Sequence, residues 1–111
     1  MKKYVLACDL KDDDELKKEY IEHHKKVWPE VLKSIRQSGI QNMEIFSVGN
    51  RLVMVIETTT DFSFEKKAEM DDKNFRVREW EELMWKYQER IPTSGAGEKW
   101  VLMDKIFSLN E

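Results

Sequence analysis

Tyr20, His24 and Trp28 recur every four residues, so in a helix a phenol, an imidazole and an indole share one face. Imidazole gives or takes a proton near neutral pH, a phenol holds or orients a hydroxyl, and an indole offers a flat apolar wall. Together they suit a small polar ligand with exchangeable protons. The same stretch has a plainer reading. Leu16, Tyr20, His23 or His24, Val27, Val31 and Ile35 keep a helical period, which would make Tyr20 and His24 interior residues with satisfied polar atoms. Pro29 tips the balance toward a site. Within a helix it would clash with the carbonyl of Lys25 and push Trp28 out of the helical region. Local costs of this kind gather where chemistry is done.

The chain that positions these residues has 111 residues, 37% charged, 41% apolar and 11% aromatic. That is the composition of one folded domain, residues 1–111. A net charge of −3, with basic residues only in short pairs such as Lys2-Lys3, Lys25-Lys26 and Lys66-Lys67, argues against nucleic acid or an anionic membrane as partner. The start is too charged for a signal peptide, and no apolar run approaches the roughly 18 residues of a membrane span. A cytoplasmic protein is expected. Cys8, the one cysteine, cannot form an internal disulfide and reads as a small buried hydrophobe.

Residues 3–10 read as a strand, and Asp12-Asp13-Asp14-Glu15 supplies the cap and acidic first turn of a helix. The spacing predicts that helix over 13–27, a restart at Pro29, and an end at Ser38-Gly39. Strands over 42–48 and 51–59 flank Gly49-Asn50, a hairpin signal. A short helix over 61–70 and a stronger one over 75–90 follow, the latter carrying the apolar seam Val77, Trp80, Met84, Tyr87 and Ile91. A turn after Pro92, Ser94 to Gly97, leads to a last strand over 99–109. The order is that of an α+β, ferredoxin-like βαββαβ sandwich, an antiparallel sheet with helices on one face.

The strands carry apolar residues on both faces: Val53 and Val55 against Leu52, Met54 and Ile56, and Trp100, Leu102 and Ile106 against Val101, Met103 and Phe107. A sheet with one wet face should alternate. A second copy packed sheet to sheet would cover the extra face, so a homodimer is expected. Asp9, Glu44, Glu57 and Asp104 sit within strands and either rim the sheet or enter a polar pocket. Trp28, Trp85 and Trp100 read as core or interface anchors.

One set of residues carries a resemblance across nearly the whole chain. Tyr20-x-x-x-His24-x-x-x-Trp28-Pro29-Glu30, Asn42-Met43-Glu44-Ile45-Phe46, Gly49-Asn50-Arg51-Leu52, Glu79-Trp80-x-x-Leu83-Met84-Trp85 and Glu98-Lys99-Trp100 before Ile106-Phe107-x-Leu109 resemble the L-rhamnose mutarotase family, especially its L-fucose branch. The resemblance implies a homodimer of the dimeric α/β-barrel type, a monosaccharide substrate, and no metal or cofactor. It implies that His24 is the catalytic histidine, that Tyr20 contacts the sugar, and that Trp80 and Met43 stand at substrate-contacting positions. Two departures from rhamnose-type members are visible. Met43 replaces a tyrosine and Glu81 a second tryptophan, and the stretch before Pro92 is about a turn longer.

The chemistry matches the inventory. Exchanging α and β anomers requires a proton to leave the anomeric hydroxyl and another to reach the ring oxygen, and groups that titrate near neutrality suffice. His24 would move the proton, Tyr20 orient or share it, Trp80 pack on the sugar's apolar side, and Glu81 or a strand carboxylate bind the remaining hydroxyls. Other readings are weaker. A metal at His23-His24 is opposed by side chains that diverge by about 100° on a helix. A haem ligated by His24 or a non-catalytic sensing dimer of the same fold are the remaining alternatives.

Overall fold

The structure, a computed structural model, describes residues 1–95 and 99–110. Its elements are, in order, β1 (Lys2–Leu10), α1 (Asp14–His24), α2 (Pro29–Gln37), β2 (Ile40–Val48), β3 (Arg51–Thr58), α3 (Phe64–Lys73), α4 (Phe75–Trp85), β4 (Gln88–Glu89) and β5 (Val101–Leu102). Among the described residues no helix is long and apolar enough to cross a membrane. Part of the expected Ser94-to-Gly97 turn lies outside the described residues.

Three of the four helices start where a polar side chain can take up free N–H groups. The Asp13 carboxylate accepts from the Leu16 N–H at 3.0 Å, the Ser63 hydroxyl caps α3, and the Asn74 side chain accepts from both Arg76 and Val77 at the head of α4, as short polar residues do at this position. α2 instead begins with Pro29 after a Trp28 in extended conformation. α1 ends at His24 rather than at residue 27. Lys25 and Lys26 close it with tight bonds to the Glu22 and His23 carbonyls, because the helical path is closed ahead of them by the proline. α4 likewise stops at Trp85, so Tyr87 and Ile91 continue its buried seam from a turn and a loop.

The sheet order is β2-β3-β1, with β4 and β5 both on the free edge of β1. This is the antiparallel ferredoxin-like sheet, its closing-strand position divided between two short ladders: β4 opposite Asp9 and Leu10, β5 opposite Leu6 and Ala7. The expected strand over 99–109 is therefore corrected to Val101–Leu102, prolonged only by the Met103 N–H to the Val5 carbonyl at 2.7 Å. With Leu6 opposite Leu102, the antiparallel register reaches the beginning of β1 within a few residues, and the following residues have no strand to join. Ile106, Phe107 and Leu109 are exposed, and Asp104 lies outside any strand.

The register sorts the side chains. Tyr4, Leu6, Cys8 and Leu10 of β1 share a face with Leu52, Met54 and Ile56 of β3 and with Met43 and Ile45 of β2, since directly paired residues lie on one side. That face meets the helices. One core cluster joins Leu10, Leu52, Tyr20, Val31, Trp80, Met84 and Tyr87, and a second joins Leu6, Ile40, Ile56 and Phe62. The opposite face carries Lys3, Val5, Ala7 and Asp9 beside Glu57, Val55, Val53 and Arg51, then Asn42, Glu44, Phe46 and Val48. Asp9 is buried there and ion-paired with Arg51, while Asn42 donates to Glu57.

Two glycines make the sharpest turns. Gly49 has φ +56° at the hairpin with open space around it, whereas Gly39, which ends α2 at φ +101°, would place a Cβ 2.9 Å from the Thr59 hydroxyl. Gly49→Ala should therefore lose only the backbone term, about 1 kcal/mol, and Gly39→Ala roughly 2–3 kcal/mol because strain and a clash combine. Chemical denaturation of the two variants checks the order.

Candidate active site

Between the helices and their face of the sheet lies a cleft of about 720 Å³, within the range of small-molecule sites. Tyr20 and His24 enter it from α1, Met43 from β2, Trp80 and Glu81 from α4. The five residues expected to act on or contact the substrate thus line one cavity, although they come from three separate elements. The strand carboxylates do not join them. Asp9, Glu44 and Glu57 lie on the other face of the sheet, for the register turns them away. Trp85 is half-exposed on the outer side of α4, under the Lys99 ammonium.

His24 is the best-oriented group in the cleft. Its Nδ1 is 2.9 Å from the Tyr20 carbonyl oxygen, an atom that can only accept, so Nδ1 carries the proton and Nε2 keeps its lone pair. Burial lowers the pKa of the imidazole, the Tyr20 carbonyl partly opposes that, and the neighbouring His23 adds to it. The ring is neutral at physiological pH and ready to accept a proton. Tyr20, 3% exposed, is pushed the other way: burial raises its phenol to about 12, so it keeps its proton. The two rings lie 4.4 Å apart.

Trp80 closes one side, its ring edge-on to His24 at 5.6 Å and to Trp28 at 5.2 Å. Arg76 holds that stack from outside, 4.0 Å above the Trp28 ring and bonded to Glu30 and Glu79. The third member of the four-residue series therefore supports the wall and does not itself line the cavity. His23 turns away from the cleft, its Nε2 donating to the Tyr87 hydroxyl at 3.0 Å, which donates in turn to Glu19. The floor is apolar, formed by Met43, Ile45, Met54 and Ile56. Charge enters at the margins. A Lys67–Asp71 pair at 2.6 Å comes from α3, and Lys99, whose pKa burial lowers, lies near Glu81.

Sequence reasoning missed four of these groups. Lys67 reads as one of a short basic pair with Lys66, Asp71 carries no motif, and Lys99 enters only within the Glu98-Lys99-Trp100 segment of the resemblance. Gln88 bears no motif at all, and it sits in a two-residue strand where a helix was expected.

The L-rhamnose mutarotase model matches residues 3–109. The chain belongs to the L-rhamnose mutarotase family. It is an isomerase of the carbohydrate-epimerase class, a mutarotase of the L-fucose and L-rhamnose type. An L-fucose mutarotase from Xanthomonas campestris pv. campestris is 41% identical, over 100% of this chain and 90% of the relative. A UPF0734 protein from Dictyostelium discoideum is 39% identical over 98% of this chain and 90% of its own length. The crystal structure of an L-rhamnose mutarotase from Formosa agariphila superposes with a TM-score of 0.72, covering 98% of this chain and 99% of that one, at 19% identity; that likeness concerns the fold. In this mutarotase Met43 and Glu81, the two departures from rhamnose-type members, both face the cleft.

The His24 geometry has two measurable consequences. NMR titration should place its pKa below the ordinary value of 6.5, with the proton on Nδ1 in the neutral form. The native state binds this proton less tightly than the unfolded chain does. The associated stability is therefore complete above about pH 6.5 and is lost as pH falls through the native pKa. Urea midpoints should decline in that window, and the decline should flatten in His24→Gln.

Proposed function

We propose that the chain interconverts the α and β anomers of a 6-deoxy-L-hexose, L-fucose in preference to L-rhamnose, by general acid–base ring opening at His24. One observation carries this reading: the Nδ1–H bond to the Tyr20 carbonyl that leaves Nε2 as a free base in the cleft. His24 Nε2 takes the proton of the anomeric hydroxyl, the bond from C1 to the ring oxygen breaks, and the oxygen accepts a proton from the acid beside it. The Tyr20 hydroxyl, still protonated at neutral pH, is the group in place to orient or share that proton. The aldehyde then turns about its bond to C2, and the same steps run backward onto its other face. No net proton or electron is consumed.

The cleft walls fit the rest of such a sugar. Trp80 offers an indole face to its CH groups, the methyl at C6 suits the methionine and isoleucine floor, and Glu81 can accept from an outlying hydroxyl. The preference for L-fucose rests on Met43, on the Met84-Trp85 pair, of which Met84 lines the cleft and Trp85 does not, and on the extent of the likeness to an L-fucose mutarotase. Cytoplasmic operation is consistent with an enzyme of free-sugar metabolism.

The working unit we propose is a homodimer. Val5, Val53, Val55 and Phe46 form an apolar strip on the sheet face away from the helices, and Phe46 is 56% exposed. A second copy would remove that strip from water at roughly 25 cal/mol per Å². Sedimentation should give twice the 13.4 kDa of one chain, and Phe46→Arg should shift the population to monomer.

Saturation-transfer proton NMR on the anomeric signals tests the reaction. Exchange should accelerate with catalytic protein, more for L-fucose than for L-rhamnose, and His24→Gln should lower the rate roughly 10²–10⁴-fold. Unchanged exchange in that variant would remove His24 from the mechanism.

A further inference from the structure

Gln88 lines the cleft and is 3% exposed. Its Nε2 donates to the Tyr20 hydroxyl at 3.1 Å, yet its Oε1 has no hydrogen-bond partner, the only buried side-chain polar atom in that condition among the described residues. A buried acceptor left empty costs on the order of 1–3 kcal/mol, so it calls for a partner. Turning the amide over would exchange the two atoms and still leave one of them unpaired. The side chain has little freedom to look elsewhere. β4 is held against β1 with Gln88 opposite Leu10, and the amide is held by Tyr20.

We infer that Gln88 hydrogen-bonds the 2-hydroxyl of the sugar through the amide atom not committed to Tyr20, and thereby sets which sugar is accepted. The inference rests on the mutarotase reading above. Both polar atoms of an amide sit on one carbon, so the hydroxyl Gln88 takes neighbours the oxygen that Tyr20 addresses. For a sugar presenting C1 and its ring oxygen to His24 and Tyr20, that reacting unit is flanked by C5, which carries only the methyl group, and by C2, so the nearest hydroxyl outside the reaction is the one on C2. L-Fucose and L-rhamnose have opposite configurations at C2 and at C4, so a fixed group at the first of these positions distinguishes them. A site with a polar atom committed to one hydroxyl discriminates strongly against a ligand that leaves it unpaired. Tyr20 is held by the same amide, so reading the substrate and aiming the phenol are tasks of one side chain.

The test compares wild type with Gln88→Leu on L-fucose, L-rhamnose and 2-deoxy-L-fucose, each rate taken relative to uncatalysed mutarotation. Gln88→Leu should lower kcat/KM on L-fucose roughly ten- to a hundredfold more than on 2-deoxy-L-fucose, any loss common to both reporting the Tyr20 contact, and the ratio of L-fucose to L-rhamnose should shrink. An equal loss on L-fucose and its 2-deoxy analogue, or no loss on either, would overturn the assignment. Should Gln88→Leu fail to fold, wild type alone decides: 2-deoxy-L-fucose must fall at least about tenfold below L-fucose in kcat/KM, and parity refutes the contact. Wild type that accelerates none of the three sugars refutes the mutarotase reading itself, a result separate from any behaviour of Gln88.

Discussion

Pro29 is the constraint on which the site depends. It has no N–H to offer the Lys25 carbonyl and it forbids a helical Trp28, so one amphipathic stretch becomes two helices with an extended residue between them. His24 consequently falls in the last turn of α1, where its ring can bond to the carbonyl of Tyr20. Trp28, freed from the helix, stacks on Trp80 and under Arg76, tying the break to α4. Remove the proline and the two helices could run straight on. The tryptophan would then sit a further turn along the His24 face, and the cleft wall would lose its outer support.

Within the cleft, burial works on an acid and a base in opposite directions. It disfavours charge on both, so His24 becomes a better-populated neutral base while Tyr20 is kept as a neutral acid. Cys8, fully buried behind them and raised to about 11, stays a thiol for the same reason. A reaction that starts and ends with neutral sugar needs groups of this kind, since each proton taken must be returned. Gln88 links the pair to the sheet through the Tyr20 hydroxyl. The apolar floor and charged margins give the cleft one surface suited to a methyl group and another suited to hydroxyls.

The sheet separates two tasks by register alone. Alternate residues of β1, β2 and β3 build the floor of the cleft, and their neighbours build the apolar strip on the far side. A slip of one residue in any ladder would exchange them. The ion pair between buried Asp9 and half-exposed Arg51 and the glycine at the hairpin help hold the β1–β3–β2 alignment.

Much of this was legible in the residues themselves. Caps, the proline break, the hairpin glycine and the two-sided apolar strands are local signals, and local sterics and hydrogen bonding dictate them whatever the rest of the chain does. The four-residue spacing of Tyr20 and His24 put both side chains on one helix face in the same way. Tertiary structure decided what local signals do not encode. The 99–109 stretch has strand composition, but how much of it pairs depends on where the chain meets the free edge of β1, and only Val101–Leu102 join that ladder. The faces of Asp9, Glu44 and Glu57 followed from register, which only the paired strands define. Gln88 had no local signature, because its importance lies in an unpaired atom. Which atom is left without a partner is known only once every neighbour has been packed into place.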